Sequence, residues 1–199
     1  IRQILRGALP ALPRLRHGLS AGETLIPALR AQWRATTGTD LHEALGMSEC
    51  STFISGSPSE PAHPGTLGRP QDGRRVAIVD DDGRVLDRGA EGIIAVDVRD
   101  PGLMLGYLGA PEETAARMVA GWFLTGDRGV MKAEGHITYL GRDDDMMNAG
   151  GFRVSPVEVE AAMHDFPGLR DIGVTDIEVK QDAAIIAAFY VADTDLDPA

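Results

Sequence analysis

Apolar residues recur at helical spacing from Ile1 to Leu9 and again from Thr24 to Arg34, where Leu25, Ala28, Leu29 and Trp33 share one face. Between these stretches, Leu15 to Leu19 predicts a short strand, and Ser20-Ala21-Gly22-Glu23 predicts the turn leading on to the helix. A further strand is expected near Leu41. Strand, turn, helix and strand in that order describe an α/β unit with a parallel sheet, whose loops carry any site.

The pattern changes at Pro58. From there to Pro70 the chain is rich in Pro, Gly, Ser and His, which predicts a long loop or a subdomain boundary. Val76-Ala77-Ile78-Val79 and Arg84-Val85-Leu86 flank Asp80-Asp81-Asp82-Gly83, so an Asp-Gly hairpin is expected. The acids of that run have no EF-hand spacing and read as a solvated turn. Ile93 to Val98 adds a strand with a β-branched bias, and together these predict a small β-rich subdomain.

Pro111 to Ala120 predicts a helix, with Pro111 in its first turn and Glu112 and Glu113 near the positive end of its dipole. Val130-Met131 and His136 to Leu140 then bracket a Glu-Gly turn. Ser155 is a credible N-cap, with Pro156 first in the helix and Glu158 third, so a helix is expected to about His164. Its apolar side holds Val157, Ala161 and Met163, and the acidic positions between Val157 and Glu160 read as a solvated face. Two strands, Ile172 to Val179 and Ala183 to Val191, follow and open a second, small domain.

A formal charge of −11 argues against a nucleic-acid backbone or an anionic membrane as the main partner, since both attract basic surfaces. No run of about twenty apolar residues occurs, and the start has no apolar core with a small-residue cleavage site, so the expected location is the cytoplasm. The single cysteine, Cys50, stands beside Glu49 rather than near an activating base. The five histidines show no zinc-ligand spacing, and no Gly-x-Ser-x-Gly elbow is found. Covalent catalysis by a protein group is therefore not indicated.

Three segments carry chemistry. In Leu45-Gly46-Met47-Ser48-Glu49, Ser48 offers a hydroxyl to a phosphate oxygen, Glu49 a hard oxygen suited to Mg²⁺, and Gly46 close backbone approach to a ligand. The same pentapeptide also reads as a plain turn after a buried strand. In Gly121-Trp122-Phe123-Leu124-Thr125-Gly126-Asp127, Asp127 is expected to project from a tight turn at a strand end. There it accepts hydrogen bonds from vicinal hydroxyls such as those of ribose, or closes an Asx-type turn. The third segment, Gly141 to Glu160, combines Arg142, three acids, the pair Gly150-Gly151, Arg153 and the capped helix start.

In this order the segments resemble the metal and phosphate motif, the ribose motif and the hinge motif of adenylate-forming enzymes. That family includes acyl-CoA synthetases, luciferases and the adenylation domains of peptide synthetases. The resemblance implies an α/β fold: the end of a parallel-sheet large domain with a β-rich subdomain, then a hinge and part of a small α+β domain. Residues 1–142 would form the large-domain part, divided into 1–58 and the β-rich 59–142, and 143–199 the hinge and the start of the small domain.

It also implies ATP or AMP, Mg²⁺ at Glu49, CoA and a small-molecule carboxylate as ligands. Gly22 and Glu23 would lie near the nucleotide. Leu45 stands where most members carry an aromatic ring against adenine, and Asn148 where many carry lysine. Arg142 would be a cation beside ribose and phosphate. Asp144 would be the pivot of domain rotation, or a solvated linker that does not move. Gly151 would let a pantetheine arm approach, and Arg153 would contact phosphate or make a salt bridge to the large domain. The family's phosphate loop and C-terminal lysine are not found between Ile1 and Ala199, so a truncated, inactive segment of an acid–CoA ligase is expected. A non-catalytic AMP- or ATP-binding or interaction module, and a domain loading a carrier protein, are the alternatives.

Overall fold

The computed structural model describes residues 1–7, 12–22, 25–149, 152–163, 166–180 and 183–192. The elements in chain order are α1 (Arg2–Arg6), β1 (His17–Ala21), α2 (Pro27–Thr37), β2 (Asp40–Met47), β3 (Ser51–Ser55), β4 (Arg69–Pro70), β5 (Val76–Val79), β6 (Glu91–Asp97), α3 (Pro111–Ala116), β7 (Met118–Val119), β8 (Trp122–Met131), β9 (Ile137–Arg142), β10 (Met147–Ala149), β11 (Phe152–Val154), α4 (Pro156–Met163), β12 (Leu169–Lys180) and β13 (Ala183–Ala192). They divide into two compact units, Ile1–Thr125 with Gly129–Tyr139 and Gly126–Arg128 with Leu140–Ala199.

In the first unit, β1 and β2 pair in parallel across the α2 crossover, His17 opposite Asp40 through Ala21 opposite Ala44. Among the described strands this is the parallel part of the sheet, since β3 and β4 continue it antiparallel in the order β1-β2-β3-β4. Trp33 and Leu29 of α2 pack with Leu25 and Leu41, but the helix begins only at Pro27, so Leu25 precedes it, and Ala28, expected on the same face, is exposed. Gly18 permits that packing, because a Cβ there would lie 2.8 Å from Leu41 Cδ1 and 2.9 Å from the Trp33 ring.

The second sheet runs β5-β6-β8-β7, with β9 on β8. Phe53 and Ile54 of β3 meet Ile78, Ile94, Val96, Met131 and Ile137 in the main core, joined by Cys50 and Leu67. Full burial of each such large apolar side chain contributes about 1.5–3 kcal/mol. The loop rich in Pro and Gly is seated by His63 stacking on buried His136, ring centroids 3.7 Å apart.

Two predicted elements differ. The Asp80 to Gly83 turn forms, with the Asp80 carboxylate accepting from the amides of Asp82 (3.0 Å) and Arg84 (2.8 Å). Its second arm is only a bridge, Val79 to Val85, because the ladder partner of β5 is β6. The helix expected to reach Ala120 stops at Ala116. Met118 and Val119 are captured by Phe123 and Trp122 in a hairpin with Ala120 at its tip in the left-handed region, φ 49°.

In the second unit, β10 and β11 form a hairpin, Met147 opposite Val154, that the periodicity did not indicate. Ser155 caps α4 as predicted, accepting from the Glu158 amide at 3.3 Å while its own hydroxyl donates to the Leu140 carbonyl. The expected helix end at His164 lies outside the described residues. Ala161 and Met163 are exposed rather than on a buried side. Glu160, expected on a solvated face, instead accepts from the Val174 amide at 2.9 Å and ties α4 to β12. β12 and β13 form an antiparallel pair, as the apolar runs predict. Among the described residues no helix is long and apolar enough to cross a membrane.

Candidate active site

β2 ends at Met47, and the chain reverses through Ser48, Glu49 and Cys50 into β3, with the Cys50 amide donating to the Met47 carbonyl at 3.3 Å. A register shift falls between Leu45 and Gly46, the mark of a bulge that re-aims side chains. A Cβ on Gly46 would lie 2.8 Å from Thr52 Cα and 2.9 Å from the Ser51 carbonyl oxygen, so the hairpin itself requires glycine there. Leu45 packs in part against the main core, Ser48 is exposed, and Glu49 is half-buried.

Glu49 is held from two sides. Its backbone carbonyl accepts from the Met104 amide at 2.6 Å, and its Oε1 accepts from the Tyr107 hydroxyl at 2.8 Å. Burial and the adjoining Glu49 carboxylate raise the Tyr107 phenol above its ordinary pKa, so it remains a donor at neutral pH. The Tyr107 amide donates to Thr114 Oγ1 at 2.9 Å, and that hydroxyl donates to the Ala110 carbonyl at 3.0 Å, which anchors Tyr107 to the first turn of α3. Arg74 braces the turn from below. One guanidinium nitrogen donates to the carbonyls of Cys50 and Thr52, each at 2.9 Å, and the other pairs with the buried carboxylate of Asp100. Asp100 also accepts from the amides of Gly102 (2.8 Å) and Arg75 (3.2 Å).

Sequence reasoning found Glu49 but missed Tyr107, 58 positions from Glu49, Arg74, 24 and 22 positions from Cys50 and Thr52, and Asp100, 26 positions from Arg74. At the end of β1, Gly22 adopts φ 94°, a left-handed conformation that favours glycine. Glu23 lies outside the described residues.

In the second unit, Asp127 does not project from a turn at a strand end. It sits within the continuous ten-residue strand β8, whose alternation turns Phe123, Thr125, Asp127 and Met131 to the buried side. Gly126 keeps the strand going despite φ 81°, and its carbonyl accepts from the Asp143 amide at 2.8 Å. Arg142, at the end of β9, reaches to 3.9 Å from Asp127 and donates through Nε to Asp144 at 3.1 Å.

The acidic turn is less uniform than its composition suggests. Asp144 and Asp145 are exposed, whereas Asp143 Oδ1 pairs with Arg128 at 2.9 Å and Arg153 at 3.0 Å. Arg153 also donates to the Asp143 carbonyl at 3.2 Å, so its ion pair lies inside this unit. Asn148 is exposed on β10, and Gly150 and Gly151 lie outside the described residues.

The sequence profile of the family described as AMP-binding enzyme matches residues 2–108, more than half of the chain. The chain belongs to the AMP-binding enzyme family. The matched stretch contains the Glu49 turn together with Arg74, Asp100 and Tyr107.

Relatedness extends beyond that stretch. The mitochondrial acyl-coenzyme A synthetase ACSM5 of Mus musculus is 37% identical over 180 residues, which are 89% of this chain and 31% of that protein. The anthranilate CoA ligase AuaEII, solved in complex with anthranoyl-AMP, superposes with a TM-score of 0.77 at 32% identity, covering 93% of this chain and 36% of the ligase. The O-succinylbenzoate coenzyme A synthetase MenE of Bacillus subtilis, solved with ATP and magnesium, gives 0.79 at 25% identity over 98% of this chain and 40% of its own. The chain thus spans about a third of the length of the curated relatives it matches. This AMP-binding family member shares the α/β architecture of the CoA ligases over both units.

Proposed function

We propose that the protein carrying this chain joins a carboxylic acid to CoA at the expense of ATP. In the first half-reaction a carboxylate oxygen bonds to the α-phosphorus and pyrophosphate leaves. In the second, the CoA sulfur bonds to the acyl carbon, AMP leaves and the thiol proton passes to solvent. The observation that carries this reading is the likeness to a ligase holding an acyl-adenylate over 93% of the chain. The relatives' names favour CoA over a carrier protein as acceptor. A formal charge of −11 favours a small-molecule substrate over nucleic acid. A cytoplasmic location belongs to the same proposal, although the mouse, rat and human relatives are all named as mitochondrial.

In this reading Glu49 is the protein's ligand to Mg²⁺. The donor fits: a hard carboxylate oxygen on a braced turn suits an ion that takes one or two protein carboxylates and fills its other positions with phosphate oxygens and water. No cluster of three or more His, Cys, Asp or Glu suited to a metal occurs among the described residues. When bound, the ion neutralises charge developing on the phosphoryl oxygens. Ser48 donates to a phosphate oxygen, Gly46 and Leu45 border the nucleotide, and Gly22 lies beside adenine and the acyl group. Asp127 accepts the ribose hydroxyls and Arg142 adds a fixed cation. Gly151 and Arg153 serve the pantetheine arm and a phosphate.

Residues 143–199 act as hinge and small domain to the 1–142 part, and Asp144 is the pivot. Its exposure, with a side chain at 71% of full accessibility, suits a residue that changes its backbone angles. In the full-length protein Asp144→Pro should therefore leave acyl-adenylate formation within about threefold of wild type and slow thioester formation about tenfold or more. Quench-flow measurement of the two half-reactions separates these outcomes, and equal loss of both removes the hinge assignment.

A further inference from the structure

We infer that Tyr107 is a positioning residue for the metal-binding carboxylate, holding Glu49 Oε1 so that the second carboxylate oxygen faces the cation. The inference rests on the proposed role of Glu49 as the Mg²⁺ ligand. Tyr107 OH donates to Glu49 Oε1 at 2.8 Å, and the described residues make no other hydrogen bond to that carboxylate. The phenol is itself fixed, through its amide to Thr114 Oγ1 and through Thr114 to the Ala110 carbonyl. A Cβ on Gly106 would stand 3.2 Å from Thr114, so the backbone beside Tyr107 lies close against α3. The Met104 amide holds the Glu49 carbonyl at 2.6 Å, so one strap grips both the backbone and the side chain of Glu49.

A carboxylate on a turn has free rotation about its side-chain bonds, and binding a cation requires one arrangement of them. A donor that pre-selects that arrangement raises metal affinity without touching the metal, as outer-shell partners of metal ligands do. A merely structural tyrosine would change stability and leave metal affinity alone.

The test is titration of Mn²⁺ by electron paramagnetic resonance on full-length protein saturated with a non-hydrolysable ATP analogue, for wild type, Tyr107→Phe, Glu49→Gln and the double variant. Tyr107→Phe should weaken Mn²⁺ binding about tenfold, with the double variant no weaker than Glu49→Gln alone. Unchanged Mn²⁺ affinity in Tyr107→Phe, with a loss in Glu49→Gln, overturns the role of Tyr107 and leaves that of Glu49 standing. No change in either variant removes the metal role of Glu49 and this inference with it. Should Tyr107→Phe lose its fold, Thr114→Val, which frees the Tyr107 amide and keeps the phenol, is expected to shift affinity in the same direction by a smaller factor. An unchanged affinity there also overturns the inference.

Discussion

Arg74→Met is expected to destabilise the chain by about 3–5 kcal/mol, the cost of leaving a buried charge without its partner. Asp100 is fully buried at its side chain and Arg74 nearly so, and the two form an ion pair. The substitution also strips the carbonyls of Cys50 and Thr52 of their shared donor. Methionine fills much of the volume, so what is lost is charge and hydrogen bonding rather than packing. Burial raises the Asp100 carboxyl, but the Gly102 amide, the Arg74 guanidinium and the Arg75 amide outweigh it and hold the group below its ordinary value.

A carboxyl lowered on folding contributes stability that is fully present above its unfolded pKa, about 3.9, and is lost as pH falls through the folded value. The difference between wild type and Arg74→Met, measured by urea unfolding of this chain, should therefore be largest near neutrality and shrink in acid. Arg74→Met with Asp100→Asn should recover part of the loss. A difference under about 1 kcal/mol at neutral pH contradicts the assignment of this pair as the brace of the Glu49 turn.

Asp127→Ala should lower kcat/KM for ATP about 100-fold in the full-length protein. A carboxylate held at 5% exposure within β8 is pre-oriented, and in the proposed ribose role two vicinal hydroxyls donate to it as a charged acceptor. Such bonds contribute about 1.5–3 kcal/mol each, and about 1.4 kcal/mol is a tenfold change. The diagnostic comparison is ATP against 2′-deoxy-ATP. Wild type should prefer ATP about tenfold, and Asp127→Ala should treat the two alike. A variant that keeps the wild-type preference shows that Asp127 serves the strand and not the ribose.

Local pattern foretold what depends on local physics. The Ser155-Pro156-Glu158 start of α4, the Asp-Gly turn after β5 and the apolar runs of β6, β12 and β13 are each written within a few residues. The resemblance of three short segments foretold the family, because each segment is written within about twenty consecutive residues.

The misses share a cause. Thr125-Gly126-Asp127 reads as punctuation because glycine and aspartate usually end strands. Yet β8 continues, with Phe123, Thr125, Asp127 and Met131 alternating to one buried side. Thr125 donates to the Ile94 carbonyl 31 positions away, and no window around residue 125 contains that partner. Helix α3 ends early because Met118 finds Phe123 across a hairpin, an outcome propensity cannot weigh. Tyr107 lies 58 positions from Glu49 and carries no motif of its own in a single sequence. Arg153 was legible as a cation but not as the partner of Asp143, since only the pairing of β10 with β11 brings it there.

The central claim is that the protein carrying this chain makes an acyl-adenylate, and carboxylate-dependent exchange of labelled pyrophosphate into ATP tests it most directly. The full-length protein, given ATP, Mg²⁺ and a panel of aliphatic and aromatic acids without CoA, should incorporate label with at least one acid and not without acid. Exchange that no acid of the panel elicits, in folded protein that binds ATP, would contradict it.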